Sequence, residues 1–402
     1  MAAAQLTNKI NQYKMSNPYF NLKNTVLALA VVFASATLHA QEKLPAKKKI
    51  FADMATANNY FMAKWPDPGA TVTVKNPAGV PVTRTSELWT RAVYYEGLMA
   101  FYAANPDQKN LDYAIDWSAK HNWTPRGKVT TTNADDYCCG QTYIDLYNLD
   151  PKPERIANIK TCIDHIIAND NDGAWTWVDA IQMGMPVFAK LGAVYKDDPK
   201  YYDKMYAMYN HTKTIEGGGL YNTTEHLWWR DKAFVPPYKE PNGANCYWSR
   251  GNGWVYAALV RVLSTIPKNA PHRDEYLQTF LEMSKALLPL QREDGYWNCS
   301  LMDPTHFGGK ELTGTALFAY GMAWGVNNGV LDKKIYLPVA TKAWNAMVQY
   351  SLHPEGFLGF VQGTGKEPKD SQPVSYTNIP DFEDYGLGCF LLAGSELSKL
   401  AK

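Results

Sequence analysis

From about residue 41 onward the chain alternates between long stretches with a helical rhythm of apolar positions and loops rich in glycine, proline and aromatics. Apolar residues recurring every three to four positions mark amphipathic helices. That rhythm predicts twelve of them, over residues 48–64, 87–103, 108–120, 136–148, 153–169, 178–194, 198–211, 249–265, 272–290, 311–327, 332–350 and 382–400. Strand-like stretches are short and fall in loops, as at Val72–Val74. The helices are of two kinds, and the kinds alternate. Even-numbered ones are poor in charge and rich in Gly, Ala and aromatics, as in Gly184-Met185-Pro186-Val187-Phe188 and Gly386-Leu387-Gly388-Cys389-Phe390-Leu391. A helix apolar nearly all round is buried on every side. Odd-numbered ones carry Lys, Asp and Glu on one face, as in 154–170 and 332–349, and belong outside. Six outer–inner pairs joined by short loops describe an all-α toroid, an (α/α)6 barrel. Loops entering inner helices share a Gly–aromatic signature: Asp172-Gly173-Ala174-Trp175, Gly218-Gly219-Leu220-Tyr221, Asp294-Gly295-Tyr296-Trp297 and Glu355-Gly356-Phe357. Their irregular spacing favours a closed ring over a regular solenoid.

The first 40 residues fall outside this pattern. Leu22-Lys23-Asn24 leads into an apolar run, Thr25 to Ala36, then small residues and Leu38-His39-Ala40-Gln41, which is the layout of a cleaved export signal. The cut falls after Ala36 or Ala40, with Ala40 favoured, and Met15 fits as the true start. The run is too short to span a membrane, and no Cys follows the cut to carry a lipid. Residues 41–402 then form a single exported domain, periplasmic or secreted, with no membrane partner. Its six cysteines could form disulfides in an oxidising compartment. A domain this large needs no such staples, and most are expected free and buried. No metal-ligand spacing, phosphate loop or dinucleotide fingerprint occurs, so neither metal nor cofactor is expected. A formal charge of +1 without basic clusters argues against nucleic acid. The 13 Trp and 26 Tyr serve either a Trp-rich core or a sugar-binding cleft, where rings stack on pyranose faces. Oligomeric state is not legible.

If the inner helices run the same way, their N-termini share one end of the ring. Polar outliers gather there: Asp135, Asp136, Asp179, Arg250, Asn252, Thr313, Thr315, Asp381, Glu383 and Asp384. Capping accounts readily for an Asp at a helix start, and it is the reading given to Asp135, Asp381 and Glu383. Asp179 follows Trp175-Thr176-Trp177-Val178, and a carboxyl enclosed by indoles is desolvated towards use as a general acid. Asp136 is similar but less enclosed. The string Cys246-Tyr247-Trp248-Ser249-Arg250-Gly251-Asn252-Gly253-Trp254 puts a guanidinium and two indoles at a helix start. That suits a planar anion on Arg and a ring on Trp, though a tight turn with an Arg–carboxylate pair would look the same. With Arg230 in Leu227-Trp228-Trp229-Arg230-Asp231, it points to an acidic oligosaccharide.

At these residues the chain resembles the unsaturated uronyl hydrolases of glycoside hydrolase families 88 and 105, from about Ile50 to Leu400. The most specific part is Trp248–Trp254. Asp135-Asp136 before Gly140-Gln141-Thr142-Tyr143, Trp177-Val178-Asp179 before Met183 and Pro186, Thr313-Gly314-Thr315-Ala316-Leu317-Phe318 and Asp384-Tyr385-Gly386-Leu387-Gly388 support it. The resemblance implies hydration of the C4=C5 bond of a non-reducing-end unsaturated uronic acid, not attack at the anomeric carbon. By similarity, Asp179 protonates C4 while water adds at C5, the same group or its neighbour deprotonates that water, and Asp136 holds the water or sugar hydroxyls. Arg250 meets the uronate or hydroxyls, and Trp254 stacks on the ring. Trp177, Trp248 and Arg230 complete the binding set, with Tyr94 or Tyr95 where relatives place a substrate-contacting Tyr. Several relatives carry a His where this chain reads Trp229-Arg230-Asp231, and His226 is offset from it. Two rivals stand beside this reading: an inverting glycosidase using Asp136 and Asp179, and a non-catalytic glycan-binding barrel.

Overall fold

The computed structural model describes residues 42–75, 80–196, 198–378, 382 and 384–402. Its helices, in chain order, are α1 (Lys47–Lys64), α2 (Trp89–Ala104), α3 (Gln108–Lys120), the single turn α4 (Ala134–Tyr137), α5 (Gly140–Leu149), α6 (Glu154–Ile167) and α7 (Asp179–Val194). They continue with α8 (Pro199–Thr214), α9 (Ser249–Thr265), α10 (Arg273–Leu287), α11 (Leu312–Asn327), α12 (Lys333–Ala346) and α13 (Asp384–Leu397). Two small antiparallel hairpins decorate the loops: β1 (Val72–Lys75) with β2 (Pro81–Arg84), and β3 (Tyr221–Asn222) with β4 (Leu227–Trp228). Nine of the twelve expected helices are therefore single elements, and those expected over 272–290 and 332–350 end in a 3-10 turn (Leu288–Leu290) and a π turn (Met347–Ser351). The one expected over 136–148 is divided at Cys138 and Cys139, whose backbones stay in the right-handed helical region. The export signal expected over residues 1–40 lies outside the described residues.

Packing closes the ring. In order, α2, α5, α7, α9, α11 and α13 each touch the next, and α13 returns to α2. Each also packs on its own outer partner, among α1, α3, α6, α8, α10 and α12. This is the (α/α)6 barrel, and the burial pattern gives its cause. In α11 every residue from Leu312 to Val326 is buried, whereas α12 buries only a stripe through Tyr336, Ala340, Ala343 and Trp344. Small residues let the inner helices meet closely. A Cβ on Gly97 would lie 2.3 Å from the Gly388 carbonyl oxygen, and one on Gly388 would lie 2.2 Å from that of Val93. This seam joins the second helix of the chain to the last.

The Gly–aromatic loops owe their glycines to the outer layer. Gly295 (φ 91°) and Gly356 (φ 108°) adopt a conformation that a side chain disfavours. Each also sits hard against an outer helix, where a Cβ would meet Lys342 O at 2.7 Å or Thr56 O at 2.4 Å. All six cysteines are free and buried.

Candidate active site

First turns of neighbouring inner helices pack on one another: Gly314 against Ser249, Gly251 against Val178, and Asp384 against Thr90 and Arg91. The inner N-termini therefore share one mouth. Outer helices α3, α8 and α12 begin with an Asp cap, Asp107, Asp198 and Asp332, each accepting a backbone N–H two residues on. Helices α2, α7 and α9 begin instead at Leu88, Val178 and Trp248, with no side-chain cap. Their free N–H groups give that mouth partial positive charge.

Asp179 is the first residue of α7, not its cap. It is buried, and its Oδ2 accepts from Arg230 Nε at 3.1 Å. Arg230 is itself held by Asp231 through Nη1 at 2.8 Å. The segment carrying them is fixed twice over. Val178 N donates to Arg230 O at 2.9 Å, and Asn252 brackets Trp228 by accepting from its N–H and donating to its carbonyl. Trp177, partly exposed, bridges to Asp231 beside the same carboxylate.

The neighbouring pair Asp135-Asp136 divides in two. Asp136 is taken up by structure: Arg126 reaches its Oδ1 through Nη2 at 2.6 Å and Nε at 2.7 Å, and Thr131 Oγ1 donates to Oδ2 at 2.8 Å. It is not a free acid for substrate. Asp135 is not the cap that its position suggested, since Asn133 caps that turn. Burial pushes the Asp135 carboxyl up to about 7, the charge of Asp179 adds to this, and Arg126 and Arg230 oppose it. Asp135 and Asp179 thus form the electrostatically coupled pair, in place of Asp136 and Asp179. Sequence reasoning passed over Asp135 because two adjacent acids at a helix start cannot be told apart without knowing which one Arg126 holds.

Several expected contact residues face elsewhere. Arg250 is fully buried, donates through Nη1 to Gln362 O at 2.6 Å and through Nη2 to Gly363 O at 2.7 Å, and lies over the rings of Trp248 and Tyr385. It supports the wall of the mouth and has no face for a uronate. Trp248 is buried with its Nε1 on Gln362 Oε1 at 2.9 Å. Trp254 is buried edge-on to Trp89, and Trp89, at the start of α2, keeps the partly exposed indole. Tyr94 and Tyr95 point between helix layers. Tyr94 Oη donates to Asn58 in α1 at 2.8 Å, and Tyr95 stacks on Trp117 of α3 at 4.0 Å. Asp384 pairs with Arg91 at 3.0 Å, while Asp381 and Glu383 lie outside the described residues.

Residues 54–401 match Glycosyl Hydrolase Family 88. The chain belongs to that family. This family 88 hydrolase is 32% identical over 332 residues to an unsaturated 3S-rhamnoglycuronyl hydrolase of Formosa agariphila, covering 78% of this chain and 84% of that protein. The family 88 glycosyl hydrolase structure from Bacteroides vulgatus superposes with a TM-score of 0.78 at 31% identity, over 88% of this chain and 99% of that one. The unsaturated glucuronyl hydrolase structure from Bacillus sp. GL1 shares the fold, with a TM-score of 0.64 at 14% identity over 88% and 97%.

Proposed function

We propose that this family 88 hydrolase removes a 4,5-unsaturated uronic acid from the non-reducing end of lyase-generated oligosaccharides by hydrating the C4=C5 bond. The observation that carries the reading is the carboxyl pair at the open mouth, with Asp135 pushed up to about 7 beside Asp179. Hydration of a vinyl ether needs one acid and one base within reach of the same double bond. A proton from one carboxyl forms the C4–H bond with the π electrons. Water adds its oxygen to C5 and gives its proton to the other carboxylate. The resulting hemiketal opens, and the aglycone leaves from C1 with a proton. The partly exposed Trp177, bridged to Asp231, supplies a stacking face beside Asp179.

The relatives' names support a uronyl group next to rhamnose. A recess of about 470 Å³ beside Asp136, lined by Thr83, Arg84, Thr85 and Arg126, fits an anionic aglycone substituent. We place the work outside the cytoplasm on the strength of the leader read in residues 1–40. Lyase digests of rhamnogalacturonan, ulvan and glycosaminoglycans, followed by ultraviolet absorbance, test the reading. Loss of the unsaturated chromophore, abolished by Asp179→Asn, is expected. Equal cleavage of saturated substrates would replace it with an inverting mechanism at the anomeric carbon.

A further inference from the structure

We propose that Arg84 is a specificity residue, selecting oligosaccharides whose second sugar, next to the unsaturated uronate, carries an anionic group. The inference rests on the hydration reading and gives its substrate a second chemical mark. Of the nine arginines in the sequence, eight are tied to a fixed carboxylate or carbonyl oxygen. Arg84 has no such partner among the described residues, and it is exposed. A guanidinium offers a planar fork of charged donors, matched to the oxygens of a carboxylate or a sulfate ester. One left unpaired at the edge of a recess is a seat for such a group.

The backbone builds this placement. Arg84 ends β2 and lies across the hairpin from Val72, which is buried. Residues directly opposite in an antiparallel pair share a face. Arg84 therefore leaves from the inner face of the hairpin, and it lines the recess of about 470 Å³. Two residues on, Ser86 anchors the end of the strand. Its Oγ donates to Pro68 O at 2.8 Å, and its carbonyl accepts from Trp117 Nε1 at 3.2 Å. The other charges around the recess are engaged. Arg126 and Asp136 close on each other at 2.6 Å, and Glu87 turns its buried Oε2 to His121 Nδ1 at 3.0 Å. Thr85, exposed beside Arg84, adds a hydroxyl.

The recess borders the catalytic mouth. Asp136 on its wall belongs to the same turn, α4, as Asp135, and α4 packs on α7, which begins at Asp179. A saccharide with its unsaturated ring at Asp179 can thus set the next ring against the hairpin. Three lyase-generated unsaturated disaccharides test this: one with a neutral second sugar, one with a sulfate ester on it and one with a carboxylate. The readout is the ratio of kcat/KM for each anionic disaccharide to that for the neutral one. The wild type should favour at least one anionic disaccharide by about fivefold, and the one favoured identifies the group. Arg84→Gln should bring that ratio close to one, Arg84→Lys should restore part of it, and added salt should shrink it in the wild type. A wild-type ratio near one overturns the proposal. So does a ratio that Arg84→Gln leaves unchanged while both rates fall, the mark of a purely structural role. If no unsaturated disaccharide is turned over, the hydration reading fails. Calorimetric binding of the same three sugars to the wild type and to Arg84→Gln then gives the ratio instead, and no anion-dependent difference there overturns the role of Arg84.

Discussion

The two mouths of the ring are both rich in charge, yet they are built on opposite terms. At the mouth where the inner helices end, a cavity of about 960 Å³ is lined by Glu96, Asp145, Lys190, Arg261 and Glu396 among others. There each carboxylate has its own cation: Lys190 on Asp145, Lys399 on Glu396, and Arg261 near Glu96 at 3.8 Å with its Nε on Gln141 at 2.7 Å. Burial pushes Glu96 up and Lys190 down, but the pairs are closed. Where the inner helices begin, Arg126 pairs with Asp136 and Arg230 with Asp179, and Asp135 is left without an ion pair of its own. Size alone would choose the wrong end. Reactivity follows from the unbalanced charge, because charge crowding without enough cations is what sets a carboxyl apart for proton transfer.

The sharpest break in this contrast comes from the carboxyl pair. Asp179→Asn or Asp135→Asn should lower kcat by about 10³-fold, within the range for a lost acid or base, with circular dichroism unchanged. At the far mouth, Glu96→Gln should leave kcat nearly intact and cost about 3 kcal/mol in urea unfolding, since Arg261 would keep its charge in a buried site with its carboxylate gone. A large loss of turnover with unchanged stability there would erase the distinction.

A subtler difference concerns pH. Folded Asp135 keeps its proton up to about 7, whereas in the unfolded chain it ionises near 3.8. Its contribution to stability is therefore present at low pH and lost as pH rises through that window. Asp135→Asn should gain stability over the wild type across the same window and level off above about 7, by up to about 4 kcal/mol. The smallest effect belongs to the helix layers. Tyr94→Phe removes the bond to Asn58 and should cost about 1 kcal/mol with kcat/KM unmoved. A rise in KM would restore Tyr94 to the binding set.

The fold was legible because an inner helix must be apolar all round and an outer one cannot be, so Gly386–Leu391 and residues 332–349 declare their layers. The family strings were legible for the same reason that they misled about contact. Arg250, Trp248 and Trp254 occupy a distinctive segment, but its chemistry faces the Gln362–Gly363 backbone and Trp89, and no sequence rule reports which way a side chain at a helix start will point. Asp179 was found through its neighbours. Asp135 was not, because its character depends on Arg126 choosing Asp136, a contact between residues 126 and 136 that leaves no periodic trace.

The glycine seam between α2 and α13 carries a consequence for how the chain folds. Gly97 and Gly388 are nearly 300 residues apart, so ring closure is among the most non-local events available to the polypeptide. Five hairpins can stack as they emerge, but the ring stays an open arc until α13 has been made and threads its glycines against α2. Loop-closure entropy makes that step late and slow. A bulky side chain at either glycine would therefore strand a partly assembled arc with its apolar seam in water, a species prone to aggregate before it ever binds a sugar.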